Sequence, residues 1–125
     1  MILVTDVLIW FFRGNEKAIN TVMDSMPFSI SIVNYMELVR GMRNKQELAK
    51  MKKAFKAMDV QIIPINEDIS WRASDYVVAH SLSRSMELAD ALIASTCVET
   101  NNTLFTANDK HYNVIEGLKM KIFRP

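Results

Sequence analysis

The chain's 125 residues suffice for one domain with a sizeable core, and half of them are hydrophobic; that excludes a disordered segment and a loop-rich secreted scaffold. The net charge of +1 excludes a polycation, so any affinity for nucleic acid must come from local patches. The single cysteine, Cys97, cannot close an internal disulfide, and the longest apolar run is broken by Asp6 and ends at Arg13, so a cytoplasmic protein without a membrane span or signal peptide is expected.

Residues 2–5 form a short apolar run that reads as a strand buried on both faces. After the Arg13-Gly14 turn, Asn15 is placed to cap a helix running to about Asp24. The Met26-Pro27 break precedes a second strand over 28–31, and Ser31 caps a helix that stops at Gly41. Residues 45–58 carry Leu48, Met51, Phe55 and Met58 on one stripe, the pattern of an amphipathic helix. A third strand follows over 60–65, Asn66 caps a helix from Glu67 to about Ser83, and a further helix reaches Cys97. Strands over 103–106 and 119–123 complete the series. Such alternation predicts one α/β domain over 1–125, a parallel sheet with helices on both faces. Sheets of that kind gather functional groups at the carboxyl ends of strands, where strand order reverses. Asp6 directly follows the first strand.

Carboxylates are almost never fully buried unless paired or ligated, yet three of them stand in apolar surroundings. Asp6 lies in Ile2-Leu3-Val4-Thr5-Asp6-Val7-Leu8-Ile9-Trp10, where it is either a helix cap or a member of a site. Glu37 lies in a helix whose Asn34, Glu37 and Gly41 share one stripe amid apolar faces. That stripe either lines a cavity or faces solvent, with Glu37 and Arg40 as a weak (i, i+3) pair. Asp90 interrupts Leu88-Ala89-Asp90-Ala91-Leu92-Ile93-Ala94, and the small alanines around it would admit a ligand. Glu87, three residues earlier, reads as a first-turn acid that satisfies the helix dipole. Asp109, in the Asn108-Asp109 pair past the fourth strand, is a further candidate that turn chemistry also explains.

Carboxylates brought together repel unless a cation is supplied. Oxygen-only donors favour a hard ion such as Mg²⁺ or Mn²⁺ over zinc. Neither His80 nor His111 has metal-ligand spacing to the other or to Cys97.

These motifs together resemble the PIN-domain ribonucleases, and within them the VapC-type toxins of toxin–antitoxin pairs. The resemblance covers nearly the whole chain and is carried by four segments in order. They are Asp6-Val7-Leu8-Ile9-Trp10 with Phe12-Arg13-Gly14-Asn15, then Tyr35-Met36-Glu37-Leu38-Val39-Arg40-Gly41, then Leu88 to Ala94, and last Thr103-Leu104-Phe105-Thr106 with Asn108 and Asp109. It implies a three-layer α/β/α sandwich around a five-stranded parallel sheet, a homodimer, and Mg²⁺-dependent hydrolysis of RNA. A small antitoxin partner that inserts a helix or strand near the site is also implied. Carried over, Glu37 and Asp90 become metal-site carboxylates and Asp109 or Asn108 a weaker fourth contributor, while Thr5 and Asp6 match the polar pair that follows the family's first catalytic aspartate. The chain departs from the family at its start. Members usually read Asp-Thr-Asp, Asp-Thr-Ser or Asp-Thr-Asn before Val-Leu-Ile, and here the sequence is Val4-Thr5-Asp6, so catalysis requires Asp6 to take over the metal from the missing first aspartate. A site weakened in catalysis, acting by binding RNA or an antitoxin, is therefore the alternative. A phosphoacceptor receiver domain fits poorly, since it needs an aspartate where this chain has Pro64-Ile65-Asn66.

Basic residues concentrate between positions 40 and 56. Most read as the solvated face of the amphipathic helix. Arg40 and Arg43, nearest Glu37, are candidate phosphate contacts for RNA, and Thr106, Asn108, Lys110 and His111 form a second set beside the fourth motif. The nine methionines and the Trp10-Phe11-Phe12 cluster are expected mainly in the core.

Overall fold

A computed structural model describes residues 1–82 and 86–125. Five strands form one parallel sheet: β1 (Ile2–Leu3), β2 (Ser29–Ser31), β3 (Gln61–Ile63), β4 (Leu104–Thr106) and β5 (Met120–Ile122), in the order β3-β2-β1-β4-β5. Among the described residues six α-helices accompany them: α1 (Thr5–Phe12), α2 (Glu16–Ser25), α3 (Ile32–Arg40), α4 (Lys45–Ala57), α5 (Glu67–His80) and α6 (Leu88–Glu99). This is the α/β architecture that the strand–helix alternation predicts. None of the described helices is long and apolar enough to cross a membrane.

The order of strands follows from the crossovers. From β1 the chain steps outward to β2 and β3, then returns across the sheet to β4 and β5 on the other side of β1. Right-handed crossovers place α1 to α4 on one face and α5 with α6 on the opposite one. Strand order thus reverses between β1 and β4, which pair through Ile2–Leu104 and Leu3–Phe105. Ile2, Leu3, Ile30 and Leu104 are fully buried, whereas Ile62 and Ile122 on the edge strands are 38% and 45% exposed. The core therefore lies under the central strands, as expected of a parallel sheet covered on both faces. Cys97 belongs to this core, and burial pushes its thiol up to about 12, which keeps it protonated and unreactive.

Helix starts follow the side chains available. The carbonyl oxygens of Asn15, Asn44 and Asn66 and the hydroxyl of Ser31 each accept a hydrogen bond from a backbone N–H three residues on. The expected end of α5 near Ser83 lies outside the described residues. Strand ends differ from the sequence-based expectation by up to two residues, with β3 over Gln61–Ile63 rather than 60–65 and β5 over Met120–Ile122 rather than 119–123. The first strand stops at Leu3, and Thr5 and Asp6 open α1 instead. Helix α6 begins at Leu88, so Asp90 lies in its first turn, and Glu87, expected there, is instead the residue that precedes the helix. In that turn the Asp90 charge faces the positive end of the helix dipole. The aromatic cluster is also less buried than expected: Phe12 is 36% exposed, and Trp10 and Phe11 are half-buried.

The burial gradient gives a direct check. Ile30→Ala, in the central sheet, is expected to cost about 2–5 kcal/mol, and Val78→Ala, on the exposed face of α5, within about 0.5 kcal/mol. Urea unfolding would measure both. Equal losses would contradict the placement of the core.

Candidate metal and active site

A cleft of about 280 Å³ opens at the carboxyl ends of β1 and β4, where strand order reverses. Asp6, Glu37 and Asp90 all line it, together with Val4, Thr5, Asn34, Asn108, His111 and Tyr112. Three helices deliver the carboxylates: α1 brings Asp6, α3 brings Glu37 and α6 brings Asp90.

Each carboxylate is tethered by its own donors. Asp6 Oδ2 accepts from the Ala107 backbone N–H at 3.2 Å and from the Thr106 hydroxyl at 3.3 Å. Its Oδ1 is buried and has no hydrogen-bond partner among the described residues. Glu37 Oε1 accepts from the Thr5 hydroxyl at 2.7 Å and, more weakly, from Asn34 Nδ2 at 3.5 Å. Asp90 Oδ1 accepts from the Tyr112 hydroxyl at 3.3 Å, and Oδ2 lies 3.3 Å from His111 Nδ1. Asn108 Nδ2 lies 3.1 Å from His111 Nε2. With the amide donating there, Nδ1 carries the ring proton and donates to Asp90.

Burial raises the pKa of Asp6 above its usual range, against the hydrogen bonds from Ala107 and Thr106 that lower it. Burial likewise raises Asp90, opposed by His111 and Tyr112. The Tyr112 phenol is driven upward by burial and then by Asp90, so it stays a donor. Buried carboxylates held against their preference for water are a mark of functional sites.

The donor set fits a hard divalent cation. All three acidic groups present oxygen, and Asp6 Oδ1 is a buried acceptor without a donor. Among the described residues, however, no three His, Cys, Asp or Glu side chains converge on one point.

Several expected contributors lie elsewhere. Asp109 does not line the cleft; it sits in a 3-10 turn (Asp109–His111) and pairs with Arg124 at 3.3 Å. Thr106 is fully buried with its hydroxyl turned to Asp6, so it is not placed to touch RNA. Arg43 is held by Glu47 at 2.8 Å, and Arg40 and Lys110 are exposed away from the cleft. Glu37 makes no ion pair with Arg40 among the described residues; its stripe lines the cavity instead. Asn108 does reach the cleft. Tyr112 is the contributor that sequence reasoning missed. An aromatic six residues after Thr106 carries no local sign that its hydroxyl returns to Asp90.

A second, larger cavity of about 590 Å³ adjoins the cleft and shares Glu37 and Ile9 with it. Its floor is apolar, with Phe12, Leu38 and Met51, and its rim carries Arg13, Arg43 and Lys50.

The raised carboxylates imply a pH-dependent penalty. A carboxyl whose pKa is higher folded than unfolded stabilises the fold below the usual carboxylate range, and that contribution is lost as pH rises through the folded value. In chelator-treated protein, Asp90→Asn is expected to raise the melting temperature at pH 7 by on the order of a few degrees. The gain should disappear below about pH 4. A lower melting point at pH 7, or a gain that persists in acid, would contradict the burial of a charged group here.

A family model for the PIN domain matches residues 1–117. Ribonuclease VapC10 of Mycobacterium tuberculosis is 33% identical over 126 residues, covering 95% of this chain and 91% of that protein. A chain of the Rickettsia felis VapBC2 structure, bound to a DNA fragment from its promoter, shares the fold with a TM-score of 0.83 at 19% identity over 98% of both chains. A chain of a toxin–antitoxin complex from Klebsiella pneumoniae superposes with a TM-score of 0.74 at 25% identity, covering 94% of this chain and 93% of that one.

Proposed function

The chain belongs to the PIN-domain family, and on that premise we propose that it is a metal-dependent endoribonuclease acting as the toxin of a toxin–antitoxin pair. What carries the reading is that Asp6, Glu37 and Asp90, from three separate helices, line one cleft at the switch point of the sheet. Those three residues would hold the ion, Mg²⁺ by preference with Mn²⁺ as a substitute. The ion would supply polarisation of a phosphoryl oxygen and a more acidic attacking water.

The protein's own groups do the rest. Asp6 Oδ1, Glu37 and Asp90 fix the charge at the floor of the cleft. Asn108 lines the cleft, and the amide hydrogen that His111 does not accept is the donor a phosphodiester entering there would meet. Arg13, Arg43 and Lys50 on the adjoining cavity, with Arg40 and Lys110 farther out, offer positive charge for the RNA backbone. Hydrolysis adds water across one P–O bond and leaves two shorter RNA strands.

Similarity to chains of toxin–antitoxin complexes supports a small protein antitoxin as a partner. A homodimer is supported by the exposed apolar groups of one helix face: Trp71 and Val78 are 67% and 78% exposed, seven residues apart on α5. In sedimentation, Trp71→Glu combined with Val78→Glu is expected to convert a dimer to a monomer. A dimer unaffected by the pair would exclude this face.

One observation favours a second reading, a domain that binds without turnover. Val4 is 4% exposed and lines the cleft at the place where the family resemblance implies an aspartate. The two readings part in a single assay with a structured RNA. Cleavage that requires Mg²⁺ or Mn²⁺, and that falls by on the order of 100-fold or more in Asp6→Asn, Glu37→Gln and Asp90→Asn, is the expected outcome. Retained RNA or antitoxin binding with no cleavage under any metal would establish the binding reading instead. Undiminished cleavage in all three variants would exclude the site.

A further inference from the structure

Behind Glu37 runs a line of buried polar groups whose hydrogen-bond directions are fixed by a single backbone donor. The N–H of Asn34 can only donate, and it does so to the Ser31 hydroxyl at 3.1 Å, the cap of α3. With its oxygen accepting there, the Ser31 hydroxyl turns its proton to Asn34 Oδ1 at 3.0 Å. That contact sets the amide: Asn34 Nδ2 must face the other way, and it donates to the Thr5 hydroxyl at 3.0 Å. Thr5, accepting from the amide, donates its own proton to Glu37 Oε1 at 2.7 Å. Ser31 and Asn34 are both fully buried.

From this geometry we infer that Thr5 and Asn34 are positioning residues for the metal-site carboxylate Glu37, a role that rests on the metal-site reading proposed above. A chain of donors with one direction fixes where the Thr5 proton points, and so fixes the orientation of the Glu37 carboxyl group at its end. Both donors also converge on Oε1, so Oε2 is left without a partner among the described residues. The result is a carboxylate with one oxygen locked and the other offered, the arrangement that raises the affinity of a ligand for a cation. It also explains an otherwise costly feature. A fully buried asparagine on an apolar helix would be destabilising without all of its partners, and here each half of the amide has one.

Alternative uses of these groups fit less well. A purely structural cap on α3 needs only the Ser31 hydroxyl and the Asn34 backbone N–H. The Asn34 side chain and Thr5 extend beyond that requirement, across to α1 and on to the cleft.

The test is Mn²⁺ binding, followed by electron paramagnetic resonance or calorimetry on the full chain, with melting temperature recorded alongside. Thr5→Val keeps the shape and removes the donor, and Thr5→Ser restores it. Asn34→Asp keeps the volume and replaces a donor with an acceptor, drawing the Thr5 proton away from Glu37. Thr5→Val and Asn34→Asp are each expected to weaken Mn²⁺ binding on the order of 10-fold, and Thr5→Ser to bind as the parent does. If Asn34→Asp does not fold, the Thr5→Val and Thr5→Ser comparison decides alone. Glu37→Gln separates the levels of failure. If it weakens Mn²⁺ binding while a folded Thr5→Val does not, the positioning role is wrong and the metal site stands. If Glu37→Gln itself binds Mn²⁺ as the parent does, the metal-site reading of Glu37 fails and the positioning role with it.

Discussion

Asp6 Oδ2 accepts hydrogen bonds from the Ala107 backbone and the Thr106 hydroxyl, and through them the end of β1 is joined to the end of β4. Those strands are the two between which strand order reverses. The same carboxylate leaves Oδ1 buried without a donor. One group therefore ties the seam of the sheet and charges the cleft that the seam creates. Glu37 and Asp90 depend on this arrangement for their neighbourhood, since α3 and α6 deliver them to the space beside Asp6. Removing the Asp6 carboxylate would disturb the architecture and the chemistry together.

The cleft shows how a small protein can keep several acids close without collapse of the fold. Each acid has donors of its own on at least one oxygen. Thr106 and Ala107 serve Asp6, Thr5 and Asn34 serve Glu37, and Tyr112 and His111 serve Asp90. Hydrogen bonds to the ionised form offset part of the cost of burial, which nevertheless keeps Asp6 and Asp90 above their usual pKa. The three acids do not converge on one point among the described residues. Specific chemistry and marginal stability meet in these few side chains, as is common where proteins store unfavourable charge.

Much of this was legible in the residues. Asn15, Ser31 and Asn66 announced helix starts, and the short apolar runs gave all five strands in sequence order. The isolated acids Glu37 and Asp90 stood out because their neighbours are apolar. The first helix was not legible. Residues 2–12 form an almost continuous apolar stretch, and α1 starts behind Val4, which offers no side-chain cap. Strand and helix cannot be told apart in such a run by periodicity. Nor could sequence show that Asp109 would turn to Arg124, fifteen positions away, or that Thr106 would close on Asp6 across the sheet. Those pairings exist only after β4 is laid beside β1. The line from Ser31 through Asn34 to Thr5 was half visible, since Asn34 shared a helical stripe with Glu37, but its continuation into α1 needed the fold.

The departure at Val4 makes the location of the cation the point on which the account turns. Crystals of the protein soaked in Mn²⁺ and measured at the manganese absorption edge would locate it directly. The account predicts one anomalous peak in the cleft, bound by oxygens of Asp6, Glu37 and Asp90. A peak outside the cleft, or a cleft in which all three carboxylates keep their present partners and hold no metal, would contradict it.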